Sequence, residues 1–325
     1  ARGIFTNGSS KMKVLIVCSG NAPNFNFELS QAFIYEQIEA IKKQYDICYD
    51  TFIITGKGIK GYLSNYKSFK KIINKNNYDL IHAHNMPSGL FSRLQLKLPL
   101  VVTYHGSDIN IKRYRILSNI LSILTSHNIL VSHKQRRKLL FSCKISVIPC
   151  GINLDTFFPI DSNIAKKTLK FVNNKVYILF CSSFDIKVKN YQLAKDAIKI
   201  LSEYEIEIIE LKNKSREEVN LLLNACNLLL LTSLSEGSPQ IIKEAMACNC
   251  PIVATDVGDI NEVIENTEGC YITSFDSREV AQKIHKAIQY SKTKEKTMGR
   301  ENVKHFDNKN ISNNINNIYQ RIGNQ

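Results

Sequence analysis

One segment of the sequence, Asn227–Asp259, constrains the fold more than any other. It opens with the apolar run Leu228–Thr232, which is typical of a strand buried on both faces of a parallel sheet. A polar loop follows, and Ser238 with Pro239 predicts a helix start, because Ser can accept from first-turn amides and Pro fits the first helical position. The pattern predicts an α/β fold with a helix N-terminus at the edge of a sheet.

This helix N-terminus is a candidate phosphate site. Free amides and the positive end of the helix dipole attract phosphate, and open parallel sheets bind ligands at the carboxyl ends of their strands. Glu236 lies in the loop and Glu244 about two turns into the helix. Because carboxylates do not bind phosphate, we expect them to accept hydrogen bonds from neutral hydroxyls. A diphosphate flanked by two polyols is a nucleotide-sugar, which is the predicted ligand.

The order of motifs carries a family resemblance. Glu236–Pro239, Lys243–Ala247 and Thr255–Asp259 together resemble the donor-site signature of retaining glycosyltransferases of family 4, also called glycosyl transferases group 1. The resemblance implies an α/β fold of GT-B type, with two doubly wound Rossmann-like domains, a cleft between them, and a C-terminal helix that crosses back to the first domain. It covers nearly the whole chain from Met12 and is most specific at Leu228–Glu262.

The resemblance also implies roles for donor-side residues. Glu236 and Glu244 fall on paired family glutamates that contact the transferred sugar and the nucleotide ribose, respectively. Lys189 falls on a family Lys at the donor diphosphate when one insertion is allowed, and it joins Glu236 as a predicted catalytic residue. The family Arg falls on Ser183, so Lys187 is its candidate substitute. The other implied donor-binding residues are Gly237, Ser238 and Gln240.

Candidate acceptor-side residues come from the first half of the chain. Residues Thr103–Asp108 resemble a family loop whose His reaches the transferred sugar, which implies a catalytic role for His105. Without the resemblance, a lone His in such a loop is more often structural. Asp108 is an acceptor-side candidate or simply the cap of the next helix. The remaining acceptor-side candidates are Gly20, Asn21 and His84.

Metal and cofactor sites are not predicted. His82 and His84 share one face of the predicted strand Asp79–His84, which is a way to present metal ligands, but no Cys or carboxylate lies at metal-ligand spacing. The chain also lacks an Asp-x-Asp element, and it lacks the Gly-x-Gly-x-x-Gly dinucleotide fingerprint after its first strand. We therefore expect no cofactor, with the nucleoside-diphosphate-sugar (NDP-sugar) as a donor substrate.

The length of 325 residues suits two domains of about 150 residues each. We predict a foreign leader at residues 1–11, an acceptor-side Rossmann-like domain at 12–153, a nucleotide-sugar-binding Rossmann-like domain at 154–305, and a crossing helix at 306–325 with Ile311–Ile322 as its candidate. Other predicted elements include a strand at Thr51–Ile54 and a helix at Arg216–Ala225. Only about a dozen residues separate Tyr204 from Arg216, where the family usually has two strands near the nucleotide base. The sequence therefore does not predict which base the donor carries.

The net charge of +14 raises nucleic acid or an anionic membrane surface as a partner. The densest basic cluster, Lys134–Lys138, lies near the amphipathic segment Ile116–Leu124. It could face lipid headgroups or the diphosphate of an acceptor, although a solvated helix face is the plainer interpretation. No motif interleaves aromatic and basic residues, so no nucleic-acid partner is predicted.

Cysteine usage and hydropathy bear on location. Nine cysteines are scattered without a disulfide framework or a Cys-x-x-Cys element, which is typical of reduced, cytosolic proteins. The chain has no signal-peptide pattern and no apolar run of about 18 residues. We predict a cytoplasmic protein. Peripheral attachment to the inner face of the cytoplasmic membrane is a second, more specific hypothesis.

The resemblance, together with these features, implies a retaining, metal-independent hexosyltransferase. It would move a sugar from an NDP-sugar to a hydroxyl of a glycan or lipid-linked acceptor, in bacterial exopolysaccharide, capsule or lipopolysaccharide synthesis. The alternatives are a non-catalytic GT-B partner subunit and a nucleotide-sugar epimerase of the same architecture. A hydrolase with Glu236 and Glu244 as acid and base is disfavoured, because both lie at one phosphate-binding terminus.

Overall fold

The structure is a computed structural model that describes residues 11–21, 25–141, 144–172, 174–293 and 296–323. Residues 1–10 of the expected leader, together with Cys143, lie outside the described residues. Within these described ranges no helix has the length and apolar character needed to cross a bilayer.

Two parallel sheets organise the chain. The first contains β1 (Met12–Ser19), β2 (Ile47–Ile54), β3 (Leu80–His84), β4 (Leu100–Tyr104), β5 (His127–Leu130) and β6 (Ile145–Val147). The second contains β7 (Val176–Phe180), β8 (Ile206–Glu210), β9 (Leu228–Leu231), β10 (Ile252–Thr255) and β11 (Cys270–Thr273). The strand orders are β2-β1-β3-β4-β5-β6 and β11-β10-β9-β7-β8. This is the expected pair of doubly wound sheets.

Helices occupy most of the connections between strands. In the first half of the chain they are α1 (Phe27–Ser30), α2 (Ala32–Gln44), α3 (Gly58–Ser64), α4 (Tyr66–Lys75), α5 (Met86–Ser92), α6 (Ser107–Asn110), α7 (Lys112–Leu124) and α8 (His133–Arg136). In the second half they are α9 (Ser162–Thr168), α10 (Tyr191–Ile200), α11 (Arg216–Ala225), α12 (Gln240–Ala247), α13 (Ile260–Val263), α14 (Ser277–Thr293), α15 (Gly299–Val303) and α16 (Asn308–Gly323). Short 3₁₀ turns form at Lys187–Lys189 and Lys304–Phe306.

The last helix completes the core of the first sheet. Val14 and Ile16 of β1 point to one face of that sheet, where they share a buried cluster with Ile311 and Ile315 of α16 and with α2. Leu15 and Val17 alternate to the other face, as the two-residue period of a strand requires. The predicted crossing helix is therefore confirmed.

Several elements differ from the sequence-based expectation. β2 begins at Ile47 instead of Thr51, because it is an edge strand whose half-exposed residues Tyr49 and Asp50 interrupt the apolar run. Sequence reasoning misses α3 and α4, because frequent Lys, Asn and Gly residues mask an apolar side on which Phe69 is buried and Ile72 and Ile73 pack against the core. In contrast, α11 has the predicted bounds, because a capping box of Ser215 and Glu218 fixes its start.

Candidate active site

The donor loop, residues 232–239, joins β9 to α12. Pro239 is the N-cap residue of α12, so the predicted cap by Ser238 is wrong. Ser238 Oγ instead donates to Asp259 Oδ2 at 2.5 Å and accepts from Lys243 Nζ at 2.6 Å. These charged partners bind the hydroxyl more strongly than a backbone amide would. The first-turn amides of α12 consequently have no side-chain cap.

Glu236 and Lys189 meet at the cleft edge of the second sheet. Lys189 Nζ lies 2.6 Å from Glu236 Oε1, and the two side chains are 20% and 14% exposed. Lys189 follows β7 and Glu236 follows β9, which is its neighbour in the sheet. Parallel strands deliver their C-terminal loops to one edge, so two residues 47 positions apart come into contact. The structure thus brings together two predicted catalytic residues, whose roles stay predictions.

Glu244 pairs with an arginine that sequence reasoning did not assign to the site. Its carboxylate is 3% exposed and lies 2.8 Å from Arg216 Nη1. Arg216 Nε also donates to Glu36 Oε1 of α2 at 2.8 Å, so its guanidinium bridges the two domains. Burial raises the pKa of Glu244 and of Glu36, while the charge of Arg216 opposes that rise. The carboxylate of Glu244, which is predicted to bind ribose, is therefore paired with Arg216 in this structure.

Lys243 is a further residue of the site that sequence reasoning missed. Its side chain is completely buried, and Nζ donates to the carbonyl of Cys150 at 2.8 Å. Gln240 Nε2 likewise donates to the carbonyl of Gly151 at 3.0 Å. Both residues of α12 thereby hold the segment that leaves the first sheet. A Lys within a helix reads as a surface residue, and only its position in the Lys243–Ala247 motif could have indicated otherwise.

Ser183 and Lys187 differ in what they offer the donor. The Ser183 hydroxyl lies 2.9 Å from Glu210 Oε1 and also contacts the Asp185 carboxylate. Such an anionic setting is unsuitable for a phosphate ligand, so the predicted donor contact of Ser183 is not supported by the geometry. Lys187 lies exposed in the 3₁₀ turn that also carries Lys189.

Three imidazoles stack inside the first domain. Ring centroids lie 4.5 Å apart for His82 and His84, and 5.3 Å apart for His84 and His105. His84 Nδ1 is 3.0 Å from His105 Nε2, while His82 contacts the hydroxyls of Tyr319 (2.6 Å) and Thr103 (2.7 Å). Burial lowers the pKa of His82 to about 3 and that of His105 to about 4. Burial and the neighbouring imidazoles also lower the pKa of His84. The rings are therefore neutral at pH 7.

The histidines do not form part of a recognisable metal site. No group of three or more His, Cys, Asp or Glu side chains among the described residues is placed to hold a metal ion. His105 instead lies at the domain boundary, where its Nδ1 is 3.8 Å from Cys150 Sγ and its ring meets the edge of Phe33.

The other acceptor-side candidates mainly shape the backbone. Asp108 is buried and accepts from the amides of Met86 (3.1 Å) and His105 (3.0 Å), so it does not cap the helix that follows, as one of its two predicted roles required. A Cβ on Gly20 would lie 2.1 Å from Ile53 Cγ2, which explains the glycine by packing. Exposed Asn21 donates to the carbonyl of Gly56 at 3.1 Å, while Ala22 and Pro23 beyond it lie outside the described residues.

The two domains touch through backbone at the centre of the cleft. A Cβ on Gly237 would lie 2.0 Å from the His105 carbonyl oxygen, and one on Gly106 would lie 2.8 Å from Gly237 Cα. The two predicted donor carboxylates line different cavities. Glu244 lines a cleft of about 1180 Å³, whereas Glu236 lines a recess of about 280 Å³. The structure therefore does not place the two predicted donor carboxylates on one cavity.

The lining of the large cleft comes from both domains. Its second-domain side includes Ser183, Ile186, the loop 211–215 between β8 and α11, and Arg216. Its first-domain side includes Asn26, Leu29 and Ser30 around α1. The shape and size suit a small molecule bound between the sheets.

Sequence comparisons match both halves of the chain. Residues 11–156 match Glycosyltransferase Family 4, and residues 201–290 match Glycosyl transferases group 1. An uncharacterized glycosyltransferase of Methanocaldococcus jannaschii is 31% identical over 274 residues, which cover 78% of this chain and 77% of that protein. The UDP-Gal:alpha-D-GlcNAc-diphosphoundecaprenol alpha-1,3-galactosyltransferase of Escherichia coli is 23% identical, over 65% of each chain.

Solved structures share the fold at low sequence identity. Sucrose-phosphate synthase from Thermosynechococcus elongatus superimposes with a TM-score of 0.80 at 16% identity, covering 96% of this chain and 99% of that one. Anabaena HepE in complex with UDP gives a TM-score of 0.72 at 18% identity, covering 95% and 100%. With the two parallel sheets and the crossing helix, these matches establish the GT-B fold. The two family matches and the Methanocaldococcus jannaschii relative show that the chain belongs to family 4 of the glycosyltransferases.

Proposed function

We propose that this chain transfers a sugar from an NDP-sugar to an acceptor hydroxyl with retention at the anomeric carbon. The observation that carries the proposal is the Lys189–Glu236 pair at 2.6 Å, beside the uncapped N-terminus of α12. A cation and free helix amides suit a diphosphate, and a carboxylate suits the hydroxyls of a sugar. A structural neighbour that binds UDP adds support for a nucleotide donor.

The large cleft is the proposed nucleoside site. Glu244 lines it and would accept a hydrogen bond from the ribose once Arg216 releases it. Glu36 would then remain as the partner of Arg216, so the guanidinium keeps an opposite charge beside it. Donor binding would therefore replace the guanidinium by a ribose hydroxyl at a buried carboxylate, which avoids leaving that carboxylate without a polar partner.

The reaction would proceed on one face of the sugar. The bond between the anomeric carbon and the diphosphate oxygen breaks, with its electron pair going to the diphosphate, and the acceptor oxygen bonds to that carbon from the same side. The acceptor proton passes to the departing phosphate oxygen. Lys189 and the α12 amides stabilise the charge that develops there. On the opposite wall Asp108 is held by two amides, so it is poorly placed to act as a nucleophile.

The acceptor and the pathway are proposed from relatives. The Escherichia coli relative is named for a sugar acceptor on diphosphoundecaprenol. A lipid-linked acceptor of that chemical class fits a hexosyltransferase of bacterial cell-surface polysaccharide synthesis that works on the cytoplasmic side of the membrane. The absence of a membrane-crossing helix among the described residues is compatible with peripheral attachment.

The test is a panel of UDP-, GDP-, ADP- and dTDP-sugars, measured by thermal shift and by release of the nucleoside diphosphate. We expect one base to raise the melting temperature, and Glu244→Gln to abolish that rise. Glu207→Gln is the control, because Glu207 is exposed and pairs only loosely with Lys175, at 3.7 Å. No shift with any nucleotide would favour the non-catalytic subunit, which the carboxylates around Ser183 also support. Nucleotide release with an altered free sugar would favour the epimerase.

A further inference from the structure

The exposed side of α7 is apolar, contrary to the usual pattern of a surface helix. The helix buries Ser118, Asn119, Leu121 and Ser122. Its other large aliphatic side chains are instead between 42% and 62% exposed: Ile116, Leu117, Ile120, Ile123 and Leu124. Their three- and four-residue spacing places them in one stripe. A helix that faced only water would expose its serines and bury its isoleucines.

The apolar stripe continues onto a neighbouring segment. Leu140 and Phe141 are 68% and 64% exposed. Asn119 fixes their position, because its Oδ1 accepts from the amide of Leu140 at 2.7 Å and its Nδ2 donates to the carbonyl of Lys138 at 3.1 Å. We call the five exposed aliphatic residues of α7, together with Leu140 and Phe141, the α7 face.

The chain around the α7 face carries charge of one sign. No Asp or Glu occurs between Asp108 and Asp155. The same interval holds eight basic residues: Lys112, Arg113, Arg115, Lys134, Arg136, Arg137, Lys138 and Lys144. An apolar stripe bordered by Lys and Arg is the composition of an element that lies in the interface of an anionic bilayer.

The α7 face is also connected to the candidate active site. Lys138 Nζ donates to Asn110 Oδ1 at 2.7 Å, and Asn110 Nδ2 donates to the Glu236 carbonyl at 3.1 Å. Lys134 and Lys138 line the same 280 Å³ recess as Glu236. A substrate held at a membrane surface would therefore reach Glu236 from this side.

We propose that the α7 face docks the protein on an anionic lipid bilayer. The proposal goes beyond sugar transfer, because docking requires neither donor nor acceptor. A second copy of the chain is a poorer occupant, since a symmetric contact would bring these basic residues against their own copies. Apolar side chains enter the headgroup region, while the flanking Lys and Arg meet lipid phosphates.

The test is sedimentation with sucrose-loaded vesicles, without nucleotide, comparing pure phosphatidylcholine with mixtures that contain phosphatidylglycerol. We expect binding to the anionic vesicles and at least a tenfold weaker partition coefficient for Ile120→Ser/Ile123→Ser. The control is Ile164→Ser/Ile200→Ser, which removes two exposed isoleucines of the second domain (61% and 48% exposed) and should change binding less than twofold. Unchanged nucleotide-induced thermal shifts would show that the variants are folded.

The basic residues are tested separately. Lys112→Ser/Arg137→Ser should weaken binding severalfold, and the charge-matched Arg278→Ser/Lys286→Ser should not. No binding of the wild-type chain to anionic vesicles would overturn the proposal, whatever its transferase activity. A dimer in sedimentation velocity that Ile120→Ser/Ile123→Ser abolishes would assign the face to a second copy. If the protein binds duplex DNA as well as it binds anionic vesicles, and the isoleucine changes do not weaken the binding to DNA, the surface would be assigned to a polyanion.

Discussion

The two walls of the cleft differ in the charge of their buried side chains. On the second-domain wall, buried charges are matched by opposite charges: Lys189 with Glu236 at 2.6 Å, and Arg216 with Glu244 at 2.8 Å. On the first-domain wall, the stacked rings of His84 and His105 are neutral because burial lowers their pKa. The second-domain wall thus presents pre-paired ions, whereas the first-domain wall adds neutral imidazoles to the carboxyl groups of Glu36 and Asp108.

This difference suits the two halves of the proposed reaction. The diphosphate brings charge, and a wall of pre-oriented ions can exchange partners with it at little reorganisation cost. The sugar and the acceptor bring hydroxyls, which neutral imidazoles can either donate to or accept from. If the comparison is right, charge-removing changes on the donor wall should cost more than changes among the histidines.

The largest expected effect follows loss of the cation at the diphosphate. Lys189→Met should lower kcat by roughly 10²- to 10³-fold, because one preorganised donor to the developing charge disappears. The measurement is steady-state release of the nucleoside diphosphate with a responsive donor. Lys187→Met, in the same exposed turn, is the control and should stay within about threefold. Equal losses in both variants would mean that the turn, and not Lys189, meets the diphosphate.

The next effect concerns the buried carboxylate. Glu244→Gln should raise the KM for donor by roughly 10- to 150-fold, because a hydrogen bond to a charged group contributes about 1.5–3 kcal/mol. A donor with a 2′-deoxyribose and one with a 3′-deoxyribose identify the hydroxyl concerned, since the variant should no longer discriminate against the relevant one. If Glu244→Gln still discriminates against the deoxyribose donors, Glu244 does not bind the ribose.

The histidine wall predicts a pH dependence of stability. Unfolded His side chains gain protons below pH 6.5, whereas His82 and His105 stay neutral in the fold until about pH 3 and about pH 4. Their stabilisation is therefore complete above pH 6.5 and is lost as the pH falls, by about 2 kcal/mol per ring between pH 7 and pH 5. Urea unfolding at several pH values measures this slope. His82→Gln should flatten it, and exposed His133→Gln should leave it unchanged.

The smallest effect tests the coupling between the walls. Glu36→Gln removes the only first-domain carboxylate in contact with Arg216 among the described side chains, so Arg216 should release Glu244 less readily. We expect the KM for donor to rise about fivefold, within the range of partly exposed ion pairs. Glu39→Gln on the same helix is the control, because Glu39 pairs with Lys42 at the surface. A lower KM in Glu36→Gln would reverse the proposed role of the bridge.

Most of the fold could be predicted from the sequence, because in most segments the apolar runs and the helix-start signals indicate the same element. The buried run Leu228–Leu231 and the capping box of α11 are local signals, and tertiary structure did not override them. β2 shows the opposite case, since an edge strand with half-exposed residues lacks a clear apolar pattern. α3 and α4 are missed for a different reason, since frequent Lys and Asn residues mask an apolar side that packs on the core through Phe69, Ile72 and Ile73.

Residues of the site could be predicted from the sequence only where they fall on a recognisable motif. Lys189 and Glu236 could be predicted because each follows a recognisable strand and falls on a residue of the family that the chain resembles. The Arg216–Glu36 contact joins residues 180 positions apart on different domains, and no local pattern encodes such a pair. The role of Ser238 was misassigned because its partner Asp259 lies 21 positions away, beyond the helix that the cap would begin.

The crossing helix also imposes an order on biosynthesis. Ile148 is the last residue of the first-domain core to be synthesised before α16, but the sheet that precedes it needs Ile311, Ile315 and Tyr319 of α16 to cover one face fully. At ribosomal speed the intervening residues take roughly 10–30 s to appear. During that interval the nascent first domain has an apolar sheet face that α2 covers only in part. The half of the protein that is translated first is thus the half that finishes folding last, and it is the part for which a chaperone matters most.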